Sequence, residues 1–240
     1  SVNLRQMDTM REVAEFCRAR QKLCHKAEAV PQIALLYSGN TIYRKSESVF
    51  GHWGKIIKGI KGTLQALLDS QNTVEKLMEH QLEGHTDKYP LIIVPEWDYI
   101  EESFRQELLN YAENGGSLLI IGPQAAALFK DELGVIFRGE VQDDIIQWLE
   151  HRGNLWGMET ACRQVELGIG TRQFGELYIQ NNSTGTSFPA ASIAGYGRGM
   201  IAAIYFNFGG RYLKAASNTA RDFLNSLVRE LFPNPIVEVK

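Results

Sequence analysis

Cysteine is scarce in this chain: of 240 residues only three are Cys, at positions 17, 24 and 162. Three scattered thiols are too few for a disulfide framework or a Cys-based zinc site. Cys17 and Cys24 fall on one predicted helix, about 10 Å apart along its axis at ~1.5 Å per residue, too far to bridge while the helix is intact. Buried or incidental thiols are the expectation for all three. An excess of either charge is also lacking, since 25 Lys and Arg stand against 28 Asp and Glu for a net charge of -3. A chain so balanced has no general attraction to nucleic acid or to an anionic membrane. No apolar run approaches the ~18 residues of a membrane-spanning helix, so neither a nucleic acid nor a membrane is an expected partner. The histidines are few, and His80 and His85 miss the i, i+4 spacing of a helical metal pair, with Gly84 between them; no metal site is expected. Gly195-Tyr196-Gly197-Arg198-Gly199 imitates a phosphate-cradling loop. It runs into the apolar stretch Met200–Phe206 instead of a helix, so it reads as a hairpin turn and no cofactor is expected. The first residue is Ser1, not Met, which suggests a processed chain or a piece of a longer one.

What the chain has is enough apolar residue, 44% hydrophobic against 22% charged, to bury a substantial core. The runs Leu91-Ile92-Ile93-Val94-Pro95 and Ser117-Leu118-Leu119-Ile120-Ile121 are short, unbroken and rich in aliphatic residues, as in strands covered on both faces. Between them Asp98 and Glu101 offer a capping box, Phe104, Leu108, Tyr111 and Ala112 a buried face, and Asn114-Gly115-Gly116 a left-handed end. The unit reads strand, helix, parallel strand.

Upstream, residues 9–26 form a helix candidate with a Thr9/Glu12 capping box and Met10, Val13, Cys17 and Cys24 at helical spacing. Gln32–Ser38 is a further buried strand, 39–51 a polar connection, and 53–68 a helix with Ile56, Ile60, Leu64 and Leu67 on its apolar stripe. Residues 72–77 form a weak strand. Beyond residue 133 glycine rises and runs shorten, so 155–158, 163–167, 176–180, 187–194 and 200–206 read as strands separated by turns. Residues 143–150 are read as a strand, with a short capped helix as the alternative. Residues 207–212 are a loop, and a last helix begins near Asn218 with Phe223, Leu224, Leu227 and Leu231 inward. The fold class is α/β: a mostly parallel sheet with helices on both faces and extra antiparallel strands in the C-terminal half.

A loop at the carboxyl end of a parallel strand is where open α/β sheets place ligand contacts. On that rule Glu96 and Trp97 are the candidate ligand-binding or interface residues, against a solvated Glu96 and a Trp97 that merely covers the sheet edge. Glu140 is the other carboxylate nominated, yet nothing in the sequence brings it to Glu96. No catalytic residue is assigned.

The segments Val30–Ser38, Tyr89–Glu96, the Gly115-Gly116 strand start and Ser192–Gly199 with Ala203–Phe206 resemble the class I glutamine amidotransferase-like domain that follows the catalytic barrel of many bacterial glycoside hydrolases. That domain is similar to the so-called trimerisation domain of family 42 β-galactosidases. The resemblance implies a flavodoxin-like sheet over residues 30–240, with 1–29 as a leading helix and linker at the end of a missing upstream domain. In the amidotransferase fold a nucleophile sits on a strand-to-helix elbow of Gly-x-Cys-x-Gly type. Here the strand runs into Gly122-Pro123-Gln124-Ala125, with neither Cys nor Ser. The implied role is therefore a non-catalytic accessory or oligomerisation domain of a glycoside hydrolase. Its implied partners are the upstream barrel of the same polypeptide, a further copy of the chain and a carbohydrate, and its parent is placed in the periplasm or outside the cell. The alternatives are a sugar or small-molecule binding module using 39–47, 96–100 and 122–125, and a free-standing hydrolase of the same fold using Cys162 or a serine.

Overall fold

The computed structural model describes residues 6–28, 30–46 and 53–237. Two compact units divide the chain, Ser1–Val30 and Pro31–Lys240. The first is built on helix α1 (Met7–Cys24), which buries none of its side chains. It starts two residues before the expected capping box. Thr9 is inside the first turn, and the negative charge there comes from Asp8, which pairs with Arg11 at 2.7 Å. Cys17 and Cys24 are exposed, incidental thiols on a helix that buries none of its side chains.

In the second unit one nine-stranded sheet carries the fold. Its strands are β1 (Ile33–Leu36), β2 (Val74–Leu77), β3 (Leu91–Pro95), β4 (Ser117–Ile121), β5 (Val135–His151), β6 (Asn154–Leu167), β7 (Thr171–Tyr178), β8 (Ser187–Tyr196) and β9 (Gly199–Ile204), in the order β2-β1-β3-β4-β9-β8-β7-β5-β6. The five strands from β2 to β9 run parallel, and from β9 to β6 every pairing is antiparallel. Every residue of β1, β3 and β4 is buried, which is why those strands are continuous apolar runs. In the antiparallel half burial becomes irregular, and β5 and β6 form a long hairpin turning at Arg152-Gly153, both in the left-handed region. Where three separate short segments were expected, at 143–150, 155–158 and 163–167, β5 and β6 are long strands whose pairing shifts register at bulges between Arg138 and Ile145.

Helices surround the sheet: α2 (Gly39–Lys45), α3 (Trp53–Ile56), α4 (Lys58–Asp69), α5 (Glu79–Leu82), α6 (Glu102–Glu113), α7 (Pro123–Ala127), α8 (Phe208–Lys214) and α9 (Asn218–Leu231). Several depart from expectation for local reasons. The polar connection after β1 holds α2, because the Ser38 side chain accepts from Thr41 N at 3.0 Å and caps it; residues 47–51 of that connection lie outside the described residues. The helix expected over 53–68 is broken at Ile57 into α3 and α4, and the side chains of Trp53 and Lys55 are outside the described set. Helix α6 begins at Glu102 without a side-chain cap. Asp98, expected to cap it, pairs with Lys45 at 2.6 Å instead. Residues 208–212, expected as part of a loop over 207–212, lie in α8, with Asn207 at its N-cap. Ser117 Oγ donates to Leu231 O at 2.8 Å, tying the end of α9 to the start of β4. Among the described residues no helix is long and apolar enough to cross a membrane.

Candidate functional site

The carboxyl ends of β3, β4 and β9 open into a cleft of about 690 Å³, within the size range of small-molecule sites. Glu96 stands on its floor, one residue past β3, with φ of 47°. A β-carbon makes this left-handed conformation costly, so it persists only where the surroundings impose it. Two sets of contacts do so. The Glu96 amide donates to Ile121 O at 2.6 Å, and its Oε1 accepts from Gly209 N at 2.5 Å and Gly210 N at 3.1 Å. Those two amides belong to the first turn of α8, where no intrahelical acceptor exists. Glu96 thus caps a helix lying 113 residues downstream.

Glycine packs tightly round this side chain. A methyl group on Gly59 would lie 2.6 Å from Oε2, and on Gly122, held at φ 101°, 3.1 Å from both Cγ and Asn207 Oδ1. Part of the residue faces the cleft, but its carboxylate is enclosed by protein. Burial accordingly pushes Glu96 up from 4.5 to about 7, against the opposing pull of the two amides. It is a carboxyl group able to exchange a proton near neutral pH.

Trp97 points the other way. It is 2% exposed and its indole N–H donates to Leu36 O at 2.7 Å, so it fills the core beside β1 and presents nothing to the cleft. Glu140 is exposed on β5 and does not line the cleft. The three stretches 39–47, 96–100 and 122–125 do converge there, through Lys45, Glu96 with Asp98, and Gln124. The remaining charged groups come from elsewhere: Lys58 from the start of α4, Arg211 and Lys214 from α8, Asp143 and Asp144 from β5, and Glu159 from β6. Asp144 sits at the β5 bulges with φ of 52°, a second non-glycine residue of the same cleft in the left-handed region. The tandem Asp143-Asp144 within a strand pattern and the Gly209-Gly210 pair after an apolar strand were the available sequence signals for this wall. Among the described residues no group of three or more His, Cys, Asp or Glu converges as a metal site would require.

At the elbow after β4, Gly122 takes the strained turn, and Pro123 opens α7 as its first residue. Cys162 is fully buried in β6, and burial pushes its thiol up to about 11, the opposite of an activated nucleophile.

No protein-family model and no curated protein matches the chain. Solved structures do. A catalytic mutant of Gan42B, a GH42 β-galactosidase from G. stearothermophilus, matches over 96% of this chain at a TM-score of 0.69 and 16% identity. The α-L-fucosidase isoenzyme 2 from Paenibacillus thiaminolyticus matches over 90% at 0.66 and 17%. This chain spans 34% of the first and 35% of the second. A cytoplasmic protein from Salmonella typhimurium is matched over 99% of its own length, with 83% of this chain, a TM-score of 0.53 and 12% identity. At these identities the likeness carries the fold: a mixed α/β sheet, parallel at the start and antiparallel in the C-terminal half.

Proposed function

We propose that this chain is an accessory domain of a bacterial glycoside hydrolase, amidotransferase-like in its scaffold and without catalysis of its own. The observation that supports it most is the match of nearly the whole chain to about one third of a GH42 β-galactosidase. Such coverage fits a domain that accompanies a catalytic one. Consistent with this, the turn after β4 carries glycine and proline where the amidotransferase scaffold needs a nucleophile, and the cysteine of the sheet is buried and hard to ionise. On this reading residues 1–29 are the end of a linker from an upstream barrel, and the domain assembles with further copies of itself. The test is direct. The purified chain should release no nitrophenol from a panel of nitrophenyl α- and β-glycosides and should sediment as an oligomer. Turnover that survives repurification would overturn the non-catalytic reading, and a monomer at tens of micromolar would overturn the assembly role.

A second reading, a sugar or small-molecule binding module, is favoured by the cleft of about 690 Å³ at the carboxyl ends of the parallel strands. A carbohydrate is a poor fit to the cleft: none of the residues described as lining it is aromatic, so no ring stacks on a pyranose face.

A further inference from the structure

The cleft above Glu96 has its charges sorted by origin. The cations Lys58, Arg211 and Lys214, which form no ion pair among the described residues, come from α4 and α8, and the carboxylates Asp143, Asp144 and Glu159 come from the β5–β6 hairpin. Lys45 and Asp98 already neutralise each other at 2.6 Å. The opposing sets form no ion pair with one another among the described residues. Two polar atoms on lining residues are fully enclosed and lack any partner: Asn207 Oδ1, an acceptor, and Arg211 Nε, a donor. Being enclosed, neither atom is open to a ligand, so recognition falls to the charged side chains that line the open space. Asp144 lies at the β5 bulges with its backbone in the left-handed region.

We propose that this cleft binds a small zwitterion, a free amino acid, with its carboxylate on Arg211 and the flanking lysines and its ammonium directed to the Asp143-Asp144 wall. Arginine matches a carboxylate with paired N–H donors, while an ammonium needs acceptors of the kind the hairpin provides. A simple anion satisfies only the α8 side and a simple cation only the hairpin side. A neutral polyol satisfies neither set of charges. The site is independent of the accessory-domain reading, which stands whether or not an amino acid binds.

Isothermal titration calorimetry on the full chain decides it, with a length series of ω-amino acids from glycine to 6-aminohexanoate and the common α-amino acids as probes. Acetate, hexanoate, hexylamine and galactose serve as comparisons. At least one zwitterion should bind at millimolar concentration or tighter, and the matched single-charge compounds at least tenfold more weakly. Arg211→Gln and Asp144→Asn should each weaken the best zwitterion by tenfold or more. Lys214→Gln, on the exposed last turn of α8, should weaken it severalfold and keeps the test open if either of the other variants fails to fold. Heat from hexanoate, hexylamine or galactose equal to that from every zwitterion would overturn the proposal, as would the absence of heat from all zwitterions.

Discussion

Glu96 is held where a carboxylate is expensive and a left-handed backbone is strained, and both costs are met by one structural task. Its Oε1 takes the two amide protons that open α8, groups that would otherwise be buried without an acceptor. Glu96→Ala should therefore cost more than the loss of one hydrogen bond. Two donors become unsatisfied and the space between Gly59, Gly122 and Gly210 is left unfilled, for a loss on the order of 3 kcal/mol in urea unfolding. A loss below about 1 kcal/mol would mean that water reaches those amides and that the carboxylate is not needed there. Trp97, its neighbour, is the contrasting case. Both residues were legible as lying at the carboxyl edge of a central strand, but which one turns inward was not, because the alternation of a strand ends where the chain enters φ 47°.

Helix α8 shows what an element owes to distant residues. Its sequence, Phe208-Gly209-Gly210-Arg211-Tyr212-Leu213-Lys214, has two glycines in the first turn, and glycine disfavours a helix by ~1 kcal/mol relative to alanine. Local propensity therefore reads a loop. Two tertiary facts override it: the Glu96 cap, and a crossing with α4 so close that a methyl on Gly62 would lie 1.7 Å from Gly209 O. Only glycine admits that approach. Gly62→Ala should force the two helices apart and cost about 3 kcal/mol, a fall in Tm of roughly 10 °C for a chain of this size. Gly54→Ala, in α3 with nothing within 4 Å, should be neutral or slightly stabilising by the same thermal melt, and equal melts for the two variants would refute the crossing. The same logic explains what was readable in the sequence. Strands β1, β3 and β4 announce themselves because burial on both faces demands unbroken aliphatic runs. Helix α2, helix α8 and the bulged middle of β5 do not, because a side-chain cap, a contact across 113 residues and a register shift leave no periodic mark. Those parts bring Asp143, Asp144, Gly210, Arg211 and Lys214 to the cleft, so of its lining only Lys45, Glu96, Asp98 and Gln124 lie in the stretches expected to hold a ligand.

At the scale of the whole molecule, two partly buried titratable groups pull stability in opposite directions across the same pH window. Glu96 rises from 4.5 to about 7 on folding, chiefly by burial. Between those values the folded chain holds a proton that the unfolded chain has released, so this group's contribution falls as pH rises from 4.5 to 7 and is flat above. The full span corresponds to on the order of 3 kcal/mol. His151 lies among the rings of Phe174 and Phe223 with its Nε2 at 3.1 Å from Ser226 Oγ, and burial first, then Arg152, lowers its pKa below 6.5. There the unfolded chain binds the proton more readily, so the contribution of His151 is present above 6.5 and is lost as pH falls toward its lowered value. Wild-type stability between pH 5 and 7 is the difference of the two slopes and should look shallow. Removing either group should expose the other. Glu96→Gln keeps an amide oxygen for Gly209 and Gly210 but has no charge to bury, so its stability should equal or exceed wild type at pH 8 and should rise with pH from 5 to 7. His151→Gln should show the reverse, a stability that falls steadily over the same interval. Urea unfolding at half-unit steps of pH reads both slopes, and a Glu96→Gln profile parallel to that of the wild type would show that this carboxyl group titrates as it does in water.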